Sequence, residues 1–396
     1  MRSAKNLNTK KNIVKVARQV VRLKKSSSAM MPRILICANS YPPKVGGLAT
    51  YASQLALHLA KLNFNITVLA SASPAHKPVD MENPYKIVRY SSKFDLYQKC
   101  LIEMVKADLI FIVQRGNYLT LAYHINKILR RPYVVALHGH EIQSKKRKNI
   151  IKKMNCASAI TPVSAYTANH FEELGVNPSL IAVINNGATP IKKTDIDIRA
   201  KYKLEGKQII LTVARLIKHK GQDYLIKSLP KILEKIPSAH YLMVGDGPDK
   251  EYLEDLAFNQ LSLSENITFA GTISDENVAA CYYECDIFAM ISRQYKNAVE
   301  GFGIAFLEAA YAGKAAVGGD SGGIPDAVEH NHTGILVDPN DLNEIATAII
   351  DLLQNENKRT EYGENGKNRV LKGFTWEKVA QTYANLFNNI LADLKT

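Results

Sequence analysis

At 396 residues the chain is too long for one ordinary hydrophobic core, so two domains are expected. Apolar residues make up 46% of it, yet no apolar run approaches the ~18 residues of a membrane span, and its five scattered cysteines contain no C-x2-C pair. These features exclude a membrane-spanning helix bundle, a disulfide scaffold and a cysteine-rich metal site, and they suit reduced thiols in a cytoplasmic protein.

The net charge of +14 is unevenly spread, with 31 Lys+Arg against 10 Asp+Glu in residues 1–200 and 20 against 27 in residues 201–396. The acid-free stretch Met1 to Met31 holds nine basic residues, interleaved with Ile13, Val14, Val16, Val20, Val21 and Leu23. It reads either as an interfacial helix for an anionic membrane or as a disordered basic tail. A second basic cluster runs Lys145-Lys-Arg-Lys148 with Lys152-Lys153. No secretory signal is visible, because the first thirty residues lack an apolar core segment.

From Arg33 onward, short β-rich runs alternate with helical periods, the pattern of parallel α/β architecture. The predicted strands of the first half are Arg33–Ala38, Asn65–Ala70, Tyr85–Tyr90, Asp108–Val113, Tyr133–His138, Ala159–Val163 and Ile181–Ile184. A second series comprises Gln208–Ala214, His240–Gly245, Asn266–Ala270, Asp286–Ile291, Ala315–Val317 and Gly334–Val337. Two doubly wound domains follow, joined by a polar linker from Thr189 to Lys207 and closed by an amphipathic helix from Glu377 to Leu394.

In open parallel sheets, ligands gather at the carboxyl ends of the strands. After the first strand, Gly46-Gly47 opens a helix N-terminus to a close ligand, although paired glycines also simply make turns. His138-Gly-His-Glu141 puts a histidine at a strand end, where a structural role is the commoner one. Arg215 leaves the first strand of the second series and Lys220 follows five residues later, so the two cations suit a diphosphate or surface salt bridges. Val244-Gly-Asp-Gly-Pro248 makes a tight turn but lacks the third glycine of a dinucleotide fingerprint, which argues against NAD.

The segment Glu300-Gly-Phe-Gly-Ile-Ala-Phe-Leu-Glu308 joins a strand to a helix that is predicted to start at Gly303. Paired carboxylates suggest glycoside hydrolysis, but eight residues of helix rise about 12 Å, beyond the roughly 5–9.5 Å that hydrolytic pairs span. The two glutamates therefore have separate tasks. Gly301 and Gly303 let backbone amides approach an anion at the helix N-terminus. Ser321-Gly-Gly follows the next strand and suits a loop that closes over a ligand.

In this order the six motifs closely resemble the retaining GT-B glycosyltransferases of the group 1 family, from about Arg33 to the C-terminus. Within that family, His138-Gly-His-Glu141 and Ala214-Arg-Leu with Lys220-Gly-Gln-Asp223 are most similar to the GDP-mannose-dependent phosphatidylinositol mannosyltransferases. The resemblance implies an α/β GT-B fold of two Rossmann-like doubly wound domains facing a central cleft. The segments would be a basic extension 1–31, an acceptor domain 32–190, a nucleotide-sugar domain 191–375 and a helix 376–396 crossing back to the first domain.

The resemblance also implies roles. Arg215 and Lys220 would hold the donor diphosphate and stabilise the leaving group. Glu308 would bind the ribose, while Glu300 and the amides of Phe302, Gly303 and Ile304, beside Gly301, would hold the transferred sugar. His138 would lie near the reacting carbon, Gly46 and Gly47 would admit the diphosphate, Gly245 would shape the donor pocket, and Ile273 would lie against the base. The donor would be a GDP- or UDP-sugar, with no cofactor and no metal, since the only Asp-x-Asp, Asp195-Ile-Asp197, falls in the linker. The acceptor would be a lipid-linked molecule or glycan. Peripheral association with the cytoplasmic face of an anionic membrane would rationalise the basic first half, and no nucleic-acid-binding motif is present. A nucleotide-sugar epimerase or hydrolase of the same fold, or a non-catalytic nucleotide-sugar-binding protein, are the alternatives.

Overall fold

The computed structural model describes residues 31–44, 46–73, 76–113, 116–139 and 147–394, without the side chains of positions 76, 78, 79 and 147. The basic segment up to residue 30, together with His140, Glu141, Lys145 and Lys146, lies outside the described residues.

The first sheet consists of β1 (Arg33–Ala38), β2 (Asn65–Ser71), β3 (Lys86–Tyr90), β4 (Leu109–Ile112), β5 (Tyr133–Leu137) and β6 (Ala159–Pro162), in the order β3-β2-β1-β4-β5-β6. The second consists of β7 (Gln208–Val213), β8 (Ala239–Val244), β9 (Ile267–Gly271), β10 (Ile287–Met290), β11 (Ala316–Gly319) and β12 (Gly334–Val337), in the order β12-β11-β10-β7-β8-β9. All the strand pairings are parallel, and helices cover both faces. Such sheets need apolar residues on both sides, and alternate residues of β1 enter different cores. Ile34, Ile36 and Ala38 pack in one, Leu35 and Cys37 in the other. In each sheet the strand order reverses once, between β1 and β4 and between β7 and β10, which defines a crevice at the strand ends.

The helix Trp376–Asp393 returns to the first domain. Trp376, Val379, Ala380, Tyr383, Ala384 and Phe387 join the core beneath β1 and β4. Trp376 is buried, its indole Nε1 donates to Thr189 Oγ1 at 3.2 Å, and its ring fills the space a side chain at Gly187 would need. The Tyr383 hydroxyl bonds Tyr51 at 2.6 Å and Thr161 at 2.9 Å, so the last helix holds the helix Gly47–Lys61 in place.

One strand expectation needs correcting. Ile181–Ile184 is not a strand: Ala182 and Ile184 donate to Ile160 and Pro162, but Pro162 has no N–H with which to continue the ladder, and only an isolated bridge at Ile181 remains. The polar linker contains the helix Ile198–Tyr202, capped by the Asp197 carboxylate through the Ala200 N–H at 2.8 Å. Cys281 and Cys285 are buried packing residues, and burial pushes each thiol up to about 12.

Candidate active site

The site begins at the switch point of the second sheet. After β7 the chain runs through Ala214, Arg215 and Leu216, and the turn after β8 is pressed against it. Gly245 adopts φ +128° and a Cβ there would fall 2.1 Å from the Ala214 carbonyl oxygen; a Cβ on Gly247 would meet that of Leu216 at 2.4 Å. The glycines of Val244-Gly-Asp-Gly-Pro248 thus brace the Arg215 loop by close backbone approach. Gln222 adds to the brace by donating to the Arg215 carbonyl at 3.0 Å. The Arg215 side chain is exposed and, among the described residues, has no carboxylate partner.

Lys220 ends a short 3-10 turn, Lys218–Lys220. Gly221 then takes φ +75° and begins the helix Gln222–Lys235, with its backbone so close to the Ile291 carbonyl that no side chain fits. The Lys220 ammonium pairs directly with the Glu300 carboxylate, and both side chains are largely buried. A cation expected to face a diphosphate therefore faces a carboxylate in the free protein, so the site carries its own anion.

Glu300 lies in the loop after β10, four residues before the helix Ile304–Tyr311. The helical-rise argument therefore does not span the two glutamates, because the loop contributes half of the segment. Their separation of tasks rests instead on their surroundings. Glu308 accepts from the Tyr282 hydroxyl at 2.8 Å and lines an interdomain cavity of about 520 Å³ with Lys44, Ser53 and Gln54 of the first domain and Asp275 of the second. The Lys220–Glu300 pair does not line that cavity.

Burial raises the Glu308 carboxyl above its usual range. Ionisation is then easier in the unfolded chain, so the folded state carries a penalty at neutral pH that is relieved as pH falls through the folded value. Glu308→Gln, which can still accept from Tyr282, is expected to raise the melting temperature at pH 7. The gain should vanish below about pH 4, where the unfolded carboxyl is also neutral; a gain that is constant with pH would contradict this.

The two domains meet at the backbone of this loop. A Cβ on Gly301 would fall 2.2 Å from the His138 carbonyl oxygen, and one on Gly139 would lie 3.4 Å from Gly301 Cα. The ring of His138 packs edge-on against Tyr51, with centroids 4.8 Å apart. Gly47 approaches Ile304, whose Cδ1 would be 3.9 Å from a Cβ there, so the helices Gly47–Lys61 and Ile304–Tyr311 come close at their first residues. Gly46, with φ +140°, precedes the first of these and Gly303, with φ +90°, the second. The Phe302 side chain is buried beside Phe374, within a loop whose neighbours Gly301 and Gly303 are also buried. Ser321-Gly-Gly packs beneath the same loop, with the Gly323 N–H donating to the Glu300 carbonyl at 2.9 Å. Ile273, after β9, is partly buried against the second core and lies farther along the sheet edge.

Three supporting elements go beyond the sequence reading, in which, of their residues, only Asp223 is named, as part of the Lys220-Gly-Gln-Asp223 motif. Asp223 and Arg293 form a buried ion pair behind Lys220, Tyr282 holds Glu308, and Tyr51 with Tyr383 backs His138. Asp223 stands three residues after Lys220, the one local signal; the partners come from distant segments.

The facing sheets, with their crevice between strand ends, are those of the GT-B fold. A solved structure of Anabaena HepE, in complex with UDP and glucose, superposes with a TM-score of 0.77 at 22% identity, covering 90% of this chain and 100% of that one. Family models of "Glycosyl transferases group 1" and "Glycosyltransferase Family 4" match residues 194–369 and 45–190. The chain belongs to the group 1 glycosyltransferases. Among its relatives are GDP-mannose-dependent alpha-(1-6)-phosphatidylinositol monomannoside mannosyltransferases of Mycobacterium tuberculosis, 26% identical, and Mycolicibacterium smegmatis, 29% identical. Each alignment covers 90% of this chain and 98% of the relative.

Proposed function

We propose that this glycosyltransferase is a retaining hexosyltransferase that moves a hexosyl group, mannosyl favoured, from a nucleoside-diphosphate sugar to a lipid-linked or glycan acceptor without a metal ion. The observation that carries this reading is the gathering of Arg215, Lys220, Glu300 and the N-terminus of the helix Ile304–Tyr311 at one switch point, facing Gly47 and His138. The bond between the sugar's anomeric carbon and the diphosphate breaks as the acceptor oxygen bonds to that carbon on the same face. The acceptor's proton passes to the departing phosphate oxygen. Arg215, Lys220 and the loop amides stabilise the charge that accumulates on the diphosphate, and closure of the cleft keeps water from the donor.

Glu308 takes the ribose hydroxyls, Glu300 the transferred sugar, and Ile273 the base. The mannosyl preference rests on the names of the 26–29% identical relatives. Metal independence rests on the use of Asp197 as a helix cap, which leaves Asp195-Ile-Asp197 to the linker. Incubation with GDP-mannose and with UDP-sugars, with and without chelator, followed by NMR of the product anomer, tests the reading. A product of inverted configuration, or activity abolished by chelator, would contradict it. The acceptor is assigned to the first domain, and the basic excess of residues 1–200 favours an anionic membrane surface at the cytoplasmic face. Flotation with anionic vesicles at low salt is expected to carry the protein upward, and its absence would remove the membrane from the proposal. Among the described residues no helix is long and apolar enough to cross a membrane.

A further inference from the structure

We propose that Asp223 and Arg293 are positioning residues for Lys220, clamping the turn that bears it to the loop that leads to Glu300. This rests on the donor-site reading above. Arg293 Nη1 and Nη2 donate to Asp223 Oδ1 and Oδ2, each at 2.9 Å, and the two side chains are only 8% and 6% exposed. Asp223 is in the first turn of the helix Gln222–Lys235, directly after the Lys220 turn, and Arg293 is three residues beyond β10. A second bond ties the same two segments, because the Arg293 backbone N–H donates to the His219 carbonyl at 2.9 Å. Between them Gly221 sits against the Ile291 carbonyl, and the guanidinium lies over the Tyr224 ring with its Cζ 4.3 Å from the centroid.

The clamp has a consequence for the charged pair at the cleft. Lys220 and Glu300 are 80 residues apart in sequence, and each hangs from one of the two clamped segments. A lysine side chain is a flexible point charge, so the position of its ammonium depends on where its backbone is held. A planar, bidentate and buried arginine–carboxylate pair fixes that backbone in two directions. It is the more deeply buried of the two pairs, Lys220 and Glu300 being the more exposed.

Arg293→Lys keeps the charge and loses the fork. Isothermal titration with GDP and with UDP, separately, is expected to show the Kd of the bound diphosphate rising about tenfold in this variant. In a Lys220→Ala background the same substitution is expected to change Kd by less than about twofold, because it then has no ammonium to position. Asp223→Asn supplies a second arm if the arginine variant misfolds, with the same dependence on Lys220. A general structural role would weaken binding equally in both backgrounds, and that result, or an unchanged Kd in both single variants, overturns the proposal. Failure of the wild-type protein to bind either diphosphate would instead overturn the donor reading on which it rests.

Discussion

Replacing Lys220 by alanine is expected to slow glycosyl transfer about a hundredfold, equivalent to about 3 kcal/mol in the activation barrier. Departure of a nucleoside diphosphate adds negative charge to phosphate oxygens, and a fixed ammonium beside them stabilises that added charge in the transition state more than the charge the bound donor already carries. Lys220 is largely buried and already paired with Glu300, so its truncation also leaves a carboxylate without its cation beside the diphosphate. Diphosphate affinity should fall with the rate. The double variant Lys220→Ala with Glu300→Gln should recover part of that affinity by removing the carboxylate's negative charge. Steady-state rates and diphosphate titrations of the single and double variants check this. A single variant within threefold of the wild-type rate would remove Lys220 from the leaving-group role.

Glu300→Ala is expected to lower transfer by about 10²–10³-fold while diphosphate binding is retained or strengthened. The asymmetry follows from the pairing seen in the free protein. In the proposed donor site Glu300 would compete with the diphosphate for Lys220, with which it is paired in the free protein, so its removal would release the cation and at the same time delete the proposed acceptor for the sugar hydroxyls. The surrounding backbone should hold its shape, because the Glu300 carbonyl is fixed by the Gly323 N–H and Gly301 by its contact with His138. Equal losses of transfer and diphosphate affinity would contradict the assignment of Glu300 to the sugar.

Much of the scaffold was legible because buried parallel strands leave a simple trace, a short β-rich run repeated between helical periods. Twelve such runs correspond to β1–β12, and the thirteenth, Ile181–Ile184, failed for a local reason, the missing N–H of Pro162. Residues at strand ends were legible for the same reason, and the loops bearing Arg215, Lys220 and Glu300 do converge at one switch point. Pairings across long sequence separations were not. Nothing in the local sequence joins Asp223 to Arg293, 70 residues away, or Tyr51 to Tyr383, 332 residues away. The glycines were legible as exceptions but not always in purpose: Gly245 and Gly247 serve the backbone of a neighbouring loop. Glu300 and Glu308 drew notice for a spacing computed along a helix, yet their distinction is set by partners, Lys220 for one and Tyr282 for the other.

The central claim is that a nucleoside-diphosphate sugar occupies the cleft, with its diphosphate against Arg215 and Lys220. A thermal-shift panel of GDP, UDP, ADP and their sugars tests it most directly, since a ligand at 100 times its Kd stabilises the native state by about 2.7 kcal/mol. One nucleotide series is expected to raise the melting temperature by several degrees, and the rise should be lost in Arg215→Ala and Lys220→Ala. A panel in which no nucleotide stabilises the protein, or in which both variants respond as the wild type does, would contradict it.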